Sequence, residues 1–154
     1  MLKEFLDKFK FDYDFKSSTQ MYKDGVFNEE LLKVLKNYEK IMNVILPTLG
    51  PERKKTYSPF LPVCPETGKV LEIPICEIDE KNSEVVFDNS GKKLKTKITN
   101  GLCKLQWKVD WAMRWFTFDV DFEMYGKDLT ESAILSNKIC KTLGKNPPNG
   151  FAYE

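Results

Sequence analysis

Residues 107–128 read WKVDWAMRWFTFDVDFEMYGKD, and the periodicity of the chain is clearest in this segment. All three tryptophans of the chain fall here at the i, i+4 and i+8 positions of a helix, as Trp107, Trp111 and Trp115. Apolar and polar residues then alternate over residues 117–124, which predicts a strand. A glycine-containing turn and a second helical pattern follow, so the stretch predicts an α/β arrangement.

The tryptophan stripe has two interpretations that the sequence leaves open. Aromatic residues at helical spacing are typical of a buried core. However, Asp110 and Arg114 lie within the same stripe, and charges inside an aromatic cluster must be paired, solvated or used in binding. The stripe is therefore either core or the wall of a binding site.

The predicted strand has one apolar face and one acidic face. The apolar face is predicted to carry Phe118, Val120, Phe122 and Met124. The other face carries three carboxylates, those of Asp119, Asp121 and Glu123. Such a face is commonly just solvated, and its functional interpretation is contact with a cationic substrate or a metal.

The turn after this strand, Gly126-Lys127-Asp128, lies where open α/β sheets bind ligands, at the carboxyl end of a strand. Glycine lets a ligand approach the backbone closely, lysine can face an anion, and aspartate can accept hydrogen bonds from ribose hydroxyls. An alternative role for Asp128 is a variant capping box with Glu131, which would only cap the next helix. The two roles are compatible.

The whole chain divides into three regions by hydrophobic period and by its proline and glycine residues. Residues 1–58 are predicted to be α-rich, and residues 59–106 to form short strands separated by turns. Residues 107–154 return to the α/β pattern, with a helix predicted over 129–143 and a strand beginning at 151. The predicted architecture is an α/β frame interrupted by a small β-rich insertion.

Composition excludes several classes of function. The chain contains no histidine, which excludes Ser-His-Asp and Cys-His catalytic systems and histidine-ligated zinc. Its 24 basic and 23 acidic residues give a net charge of +1, so no strong overall attraction to a nucleic-acid backbone is expected. The sequence shows no pattern of a membrane span or secretory signal, and its four dispersed cysteines favour reduced thiols in the cytoplasm.

The β-rich region contains a modified zinc-knuckle pattern. Cys64-Pro-Glu-Thr-Gly68 has the form Cys-Pro-x-Cys-Gly with Thr67 in the position of the second cysteine. A tetrahedral zinc site needs four ligands, and the other cysteines lack paired spacing. We therefore expect no metal ligated by this chain and interpret residues 59–106 as a degenerate zinc-knuckle-like lobe.

Three segments carry a family signal when taken in order: residues 107–115 (WKVDWAMRW), 120–128 (VDFEMYGKD) and 147–154 (PPNGFAYE). Together they resemble the second half of the catalytic domain of class I lysyl-tRNA synthetases. The order and spacing carry the resemblance, because each segment alone is unspecific. The resemblance implies a partial Rossmann-type catalytic domain with a connective insertion. It also implies activation of lysine with ATP and transfer to tRNA(Lys).

The resemblance further implies roles for individual residues. Trp107 is similar to a family tryptophan that lines the lysine pocket, where an indole face can hold an ammonium group. Asp110 and Trp111 belong to the same signature, with Arg114, and are expected to line or support that pocket. Near the adenosine, the family has a Gly-Lys-Asp element that matches Gly126, Lys127 and Asp128. The implied partners are lysine, ATP and tRNA(Lys), and neither a membrane nor DNA is expected.

The sequence also departs from the family pattern. A His-x-Gly-His-like motif cannot occur in a chain without histidine, and a Lys-Met-Ser-Lys-Ser-like loop would lie shortly beyond Glu154. Leu129 stands where many members have a histidine. We therefore expect an internal fragment of the enzyme with negligible activity alone. Two alternatives stay open: a stand-alone non-catalytic binding module derived from a synthetase, and a generic α/β nucleotide-binding domain, which leaves the tryptophan cluster unexplained.

Overall fold

The computed structural model of the protein describes residues 2–154, which form helices packed with three small sheets. The helices are α1 (Leu2–Lys8), α2 (Ser18–Lys23), α3 (Asn28–Lys36), α4 (Tyr38–Ile45), α5 (Pro51–Thr56), α6 (Trp107–Phe118) and α7 (Thr130–Leu143). The strands are β1 (Phe60–Pro62), β2 (Ile75–Asp79), β3 (Glu84–Asn89), β4 (Lys92–Lys97), β5 (Cys103–Leu105), β6 (Phe122–Gly126) and β7 (Asn149–Tyr153). This mixture confirms the predicted α/β class. None of the described helices is long and apolar enough to cross a membrane.

Helix α6 contains the tryptophan stripe and extends further than predicted. It ends at Phe118. The next residue, Asp119, has a left-handed backbone (φ 52°, ψ 49°), and the amide of Val120 donates to the Trp115 carbonyl across this cap at 3.1 Å. The prediction of a strand from residue 117 is therefore wrong at its start. Thr117 is part of the helix, and its hydroxyl donates to the Met113 carbonyl at 2.9 Å, a local bond that helical Ser and Thr side chains can make.

Strand β6 pairs in parallel with β7, with Phe122 opposite Asn149 and Gly126 opposite Tyr153. Parallel neighbours need a crossover connection, and α7 supplies it. This helix ends at Leu143 and is followed by Gly144, whose φ of 102° strongly favours glycine. The predicted helix over 129–143 and the predicted strand from 151 are confirmed, each displaced by no more than two residues.

The β-rich region contains an antiparallel sheet in the order β2-β3-β4 and a separate pair, β1 with β5. The β3–β4 hairpin turns at Ser90 and Gly91, which both have positive φ (56° and 84°), as a type I′ turn requires. The side chain of Asp88 accepts from the Gly91 amide at 2.7 Å. The hairpin is thus fixed by local turn chemistry.

An apolar core joins residues from all three sequence regions, including Leu31, Phe60 and Ile139. Helix α6 lies at its centre, because Val109 and Met113 are fully buried on one side of the helix. Burial of such side chains stabilises the fold by roughly 1.5–3 kcal/mol each. The three regions 1–58, 59–106 and 107–154 were defined by sequence pattern. Their use as domains stays a prediction.

Candidate functional site

The three tryptophans of α6 form a stacked series that runs from the core to the surface. Trp115 is 3% exposed, Trp111 is partly buried, and Trp107 is 46% exposed. The ring centroids of Trp107 and Trp111 lie 5.5 Å apart at an interplanar angle of 25°, and those of Trp111 and Trp115 lie 4.9 Å apart at 46°. Both sequence interpretations therefore apply in part. Trp115 belongs to the core, whereas Trp107 is accessible to solvent.

Strand β6 turns its polar side towards this wall. The carboxylate of Glu123 accepts a hydrogen bond from the Trp115 indole nitrogen at 2.8 Å. Two residues further on, the Tyr125 ring meets Trp111 edge-on, with centroids 5.7 Å apart. The predicted apolar face does not form as one strand face, because Phe118 belongs to α6. Two other residues predicted for that face, Phe122 and Met124, are 57% and 61% exposed.

Between α6 and the end of β6 lies an open cleft of about 350 Å³. Its lining residues are Trp107, Asp110, Trp111, Arg114, Glu123, Met124, Tyr125, Gly126, Leu129 and Tyr153. The cleft therefore joins the tryptophan wall and the glycine turn, which are separated by a whole strand in sequence. The structure brings together four of the six predicted site residues here: Trp107, Asp110, Trp111 and Gly126.

Asp110 is buried and fully engaged by its own protein. One carboxylate oxygen accepts from the Tyr22 hydroxyl at 2.5 Å, and the other is paired with the Arg114 guanidinium. Burial, followed by the charge of Asp110, raises the pKa of Tyr22 far above its usual range. The Tyr22 oxygen also accepts from the Leu105 amide at 3.3 Å. Asp110 therefore anchors α6 and positions the tryptophans.

Arg114 lies at the edge of the cleft and is bonded through only part of its guanidinium. Its Nη2 pairs with Asp110, whereas its Nε is buried without a hydrogen-bond partner among the described residues. The side chain contributes a positive charge to the cleft that is already matched by Asp110. This arrangement supports the expected structural role of Arg114 beside the tryptophan wall.

Glycine at residue 126 is explained by the lack of space for a side chain and not by an unusual backbone conformation. Gly126 has an ordinary extended conformation (φ −61°, ψ 144°). A Cβ at this position would lie 2.6 Å from Oδ1 of Asp128, closer than real contacts allow. The Asp128 carboxylate thus curls back over the Gly126 backbone. Any side chain at residue 126 would displace it.

Lys127 and Asp128 are exposed and lie outside the lining of the cleft. The ammonium of Lys127 is ion-paired with Glu154. Helix α7 is preceded by Leu129 and receives no side-chain cap, so the predicted capping role of Asp128 is wrong. Instead, residues 127–129 form a 3-10 turn, and the Thr130 hydroxyl donates to the Lys127 carbonyl at 2.7 Å.

The three predicted carboxylates do not share a face. Asp119 caps α6 and pairs with Lys145 at 2.7 Å, and Asp121 is exposed before β6 begins. Only Glu123 reaches the cleft. The predicted acidic face is therefore wrong, because the left-handed turn at Asp119 breaks the alternation on which it depended.

The knuckle at Cys64 keeps its turn. The Gly68 amide donates to the Cys64 carbonyl at 2.8 Å, and the Cys64 amide donates to the Lys69 carbonyl at 2.8 Å. The Thr67 hydroxyl and nearby backbone amides donate to the Cys64 sulfur, which lowers the pKa of this thiol. The part of the chain that the structure describes, residues 2–154, holds no group of three or more His, Cys, Asp or Glu side chains that could bind a metal.

Sequence reasoning missed Tyr125 and Gly150 as a pair. A Cβ on Gly150 would lie 3.0 Å from the Tyr125 hydroxyl oxygen and 3.1 Å from its ring, so the glycine gives the tyrosine room to lie against β7. Tyr125 can then support Trp111 from the strand side. The available signal was the parallel pairing of two strands joined by one helix, with glycine near the start of the second.

Comparison with known proteins tests the family resemblance over the whole chain. The sequence model of the family described as "tRNA synthetases class I (K)" matches residues 1–154. Lysine–tRNA ligases of Rickettsia bellii and Rickettsia rickettsii are each 51% identical over 154 residues, covering 99% of this chain and 30% of theirs. The corresponding ligase of Rickettsia akari is 52% identical and is covered over 29% of its length.

The chain thus spans about 30% of the length of the curated relatives that it matches. The match covers the whole chain, including the β-rich region and the helices before it, where the resemblance in sequence motifs was weak. Family membership therefore rests on all three regions and not on the tryptophan stripe alone. The chain belongs to the class I (K) tRNA synthetases.

Proposed function

We propose that this chain is part of a lysine–tRNA ligase and supplies one side of the site in which lysine is activated with ATP. The observation that carries the proposal is the cleft that joins the tryptophan wall to the Gly126 turn. The relatives that share half of its residues are lysine–tRNA ligases, which supports lysine as the amino acid. The same reasoning makes ATP and tRNA(Lys) the other partners and the cytoplasm the location.

Trp107 is the residue that we assign to direct contact with lysine. Its indole is nearly half exposed, lines the cleft and is held in place by stacking on Trp111. An indole face attracts an ammonium group by about 0.5–2 kcal/mol, depending on how far the pair is removed from water. Trp111 continues this wall towards Tyr125. Asp110 acts through α6, because both of its oxygens are engaged within the protein.

The glycine turn is the part that we assign to ATP. With no side chain at Gly126, a nucleotide could approach the end of β6 closely. The exposed carboxylate of Asp128 lies beside this glycine and could accept hydrogen bonds from ribose hydroxyls. Lys127 could face a phosphate once its ion pair with Glu154 is broken. An exposed pair such as Lys127–Glu154 contributes little stability, so its exchange for a ligand costs little.

Complete catalysis needs groups that these 154 residues do not contain. The chain has no histidine, so it cannot supply the histidine-containing signature of the family. Stabilisation of charge on the triphosphate is where most of the rate in such chemistry arises. We therefore propose that these residues bind and orient, and that they form no lysyl-adenylate alone. With a net charge of only +1, they are not the main contact for tRNA.

A chimeric enzyme tests this proposal. Residues 1–154 would replace the matching segment of the Rickettsia bellii lysine–tRNA ligase, and lysine-dependent ATP–pyrophosphate exchange would be measured. We expect an active chimera in which Trp107→Ala raises KM for lysine about tenfold, from the loss of a partly desolvated cation–π contact. Trp107→Phe keeps an aromatic face and should recover most of that loss.

Two results would contradict the assignment. Unchanged lysine KM in a folded Trp107→Ala chimera would remove Trp107 from the lysine site. A chimera that melts like the parent ligase yet activates no lysine would favour the stand-alone binding module. Lysyl-adenylate formation by the purified 154 residues would show that the groups assigned to the rest of the enzyme are not needed.

A further inference from the structure

A second cavity, of about 200 Å³, lies beside the first turn of α6. Trp107 is the residue that its lining shares with the cleft. The other lining residues are Ile45, Leu49, Arg53, Tyr57, Gln106 and Lys108. They come from the segment between the end of α4 and the end of α5 and from the start of α6, so folding brings them together. Apart from Trp107, none of them belongs to the lysine or ATP site of the proposed function.

Two cations line this cavity, and its lining contains no acidic residue. Within residues 2–154, the ammonium group of Lys108 has neither an ion pair nor a hydrogen bond. Nη2 of Arg53 lies 3.9 Å from a carboxylate oxygen of Glu72, and both side chains are exposed. Such a pair contributes little stability, so a ligand can replace it at little cost. The cavity therefore presents two positive charges that the protein leaves almost unmatched.

Two neutral polar groups in the same cavity also lack hydrogen-bond partners in the described part of the chain. These groups are the hydroxyl of Tyr57 and the side-chain amide of Gln106, and both residues are partly buried. Burial raises the pKa of Tyr57, so its hydroxyl stays protonated near neutral pH and can donate a hydrogen bond. Together with the two cations, these groups give the cavity four donors for the acceptor oxygens of a ligand.

The remainder of the lining is apolar or aromatic. Ile45 is 1% exposed, Leu49 is partly buried, and Tyr57 and Trp107 each add an aromatic ring. Proteins bind single-stranded nucleic acids with this combination, in which cations hold the phosphate and aromatic side chains stack on the base. Pockets for drug-sized ligands commonly have volumes of roughly 300–1,000 Å³. This smaller cavity therefore suits a single nucleotide.

We propose that this cavity is a second nucleotide site, separate from the Gly126 turn, and that it binds one nucleoside monophosphate. Arg53 and Lys108 hold the phosphate, and the rings of Tyr57 and Trp107 border the base. The monophosphate is either a free nucleotide or the terminal nucleotide of a single RNA strand, which present the same chemistry. The inference goes beyond the proposed function and does not depend on it.

Titration of the 154-residue chain with AMP, followed by nitrogen-15 NMR, tests this inference. We expect saturable shifts of the Trp107 indole signal and of the Lys108 backbone amide signal. Adenosine lacks the phosphate and ribose 5-phosphate lacks the base, so each should bind at least about tenfold more weakly than AMP. The amide of Gly126 reports on the cleft and should not follow the same binding curve.

Arg53→Gln and Lys108→Gln each remove one cation of the lining. Each change should weaken AMP binding about tenfold, through the loss of a charge-assisted hydrogen bond to the phosphate. Lys54→Gln is the matched control, because it removes the same charge from the residue next to Arg53, which is exposed and outside the lining. This control should leave the affinity within about twofold of the original. Melting temperatures check that all three variants keep the fold.

Three results would overturn the inference. The first is the absence of any saturable shift with AMP, and the second is equal AMP affinity in the original chain and in both lining variants. The third is a set of shifts confined to the residues around Gly126, which would place AMP in the cleft and leave the proposed ATP assignment intact. Arg53-dependent AMP binding together with a folded chimera that activates no lysine would support the second site and overturn the proposed function.

A single-stranded RNA of three adenosines identifies the source of the nucleotide. Displacement of AMP by this RNA with an affinity at least about tenfold higher would support the end of an RNA strand, because neighbouring phosphates add contacts to cations. AMP binding that the RNA does not displace would support a free mononucleotide.

Discussion

Replacing Tyr22 by phenylalanine tests the network that holds α6 and its tryptophans in place. Tyr22 is 1% exposed, and its hydroxyl donates to Asp110, which is 7% exposed. The same hydroxyl oxygen accepts from the Leu105 amide. The substitution removes one oxygen atom and leaves two buried partners short of a hydrogen bond.

The expected loss follows from these two contacts. A hydrogen bond to a charged group contributes about 1.5–3 kcal/mol, and Asp110 keeps Arg114 as a partner, which favours the lower half of that range. The unsatisfied Leu105 amide adds about 1 kcal/mol. We expect the free energy of unfolding to fall by about 3 kcal/mol and the melting temperature by roughly 6–12 °C.

Urea unfolding followed by tryptophan fluorescence measures this change, with the dependence on urea expected to stay the same. The matched control is Tyr13→Phe, since Tyr13 also donates to an aspartate, Asp7, at 2.5 Å but on the exposed surface. This control should lose less than about 0.5 kcal/mol. Equal losses in the two variants, or a loss below about 1 kcal/mol for Tyr22→Phe, would refute the claim that burial gives the Asp110 network its strength.

Three further predictions follow from the turn, the knuckle and the buried phenol. Gly126→Ala displaces the Asp128 carboxylate, but alanine suits the local backbone. In the chimera, KM for ATP should therefore rise several-fold while the melting temperature changes by less than about 4 °C. A larger fall in melting temperature would contradict this account of the turn. Thr67→Val removes the donor that lowers the pKa of Cys64, so alkylation of that thiol near neutral pH should slow several-fold, whereas Thr67→Ser should keep the original rate. The pKa of Tyr22 is raised in the folded state, so its stabilising contribution is complete below about pH 10, where unfolded tyrosine is neutral, and declines above it. The stability difference between the original chain and Tyr22→Phe should therefore shrink between about pH 9 and pH 11, and a constant difference would contradict the linkage.

Local sequence signals were sufficient for several elements. Gly144 ends α7 because its backbone is left-handed there, and the Asp88–Gly91 segment forms a tight hairpin turn because its residues accept positive φ. These outcomes depend on a few neighbouring residues. The family, too, was recognisable from sequence, since it needed only the order and spacing of short segments and not their packing.

The side of β6 that faces the protein could not be read in the same way. Alternation gives the period of a strand but not the face that is buried, and in β6 the apolar Phe122 and Met124 are the exposed residues. Burial of Trp115 in the core creates an indole N–H that needs an acceptor, and Glu123 supplies it across the interface.

Residue type and spacing along the chain were therefore enough to predict the family, the α/β class and several residues of the candidate cleft. The packing of the elements was needed to show that both carboxylate oxygens of Asp110 are bonded within the protein, that Lys127 and Asp128 lie outside the cleft lining, and that Glu123 lies within it. Buried polar groups must find hydrogen-bond partners, and Asp110 and Trp115 find Tyr22 and Glu123 in other elements of the fold.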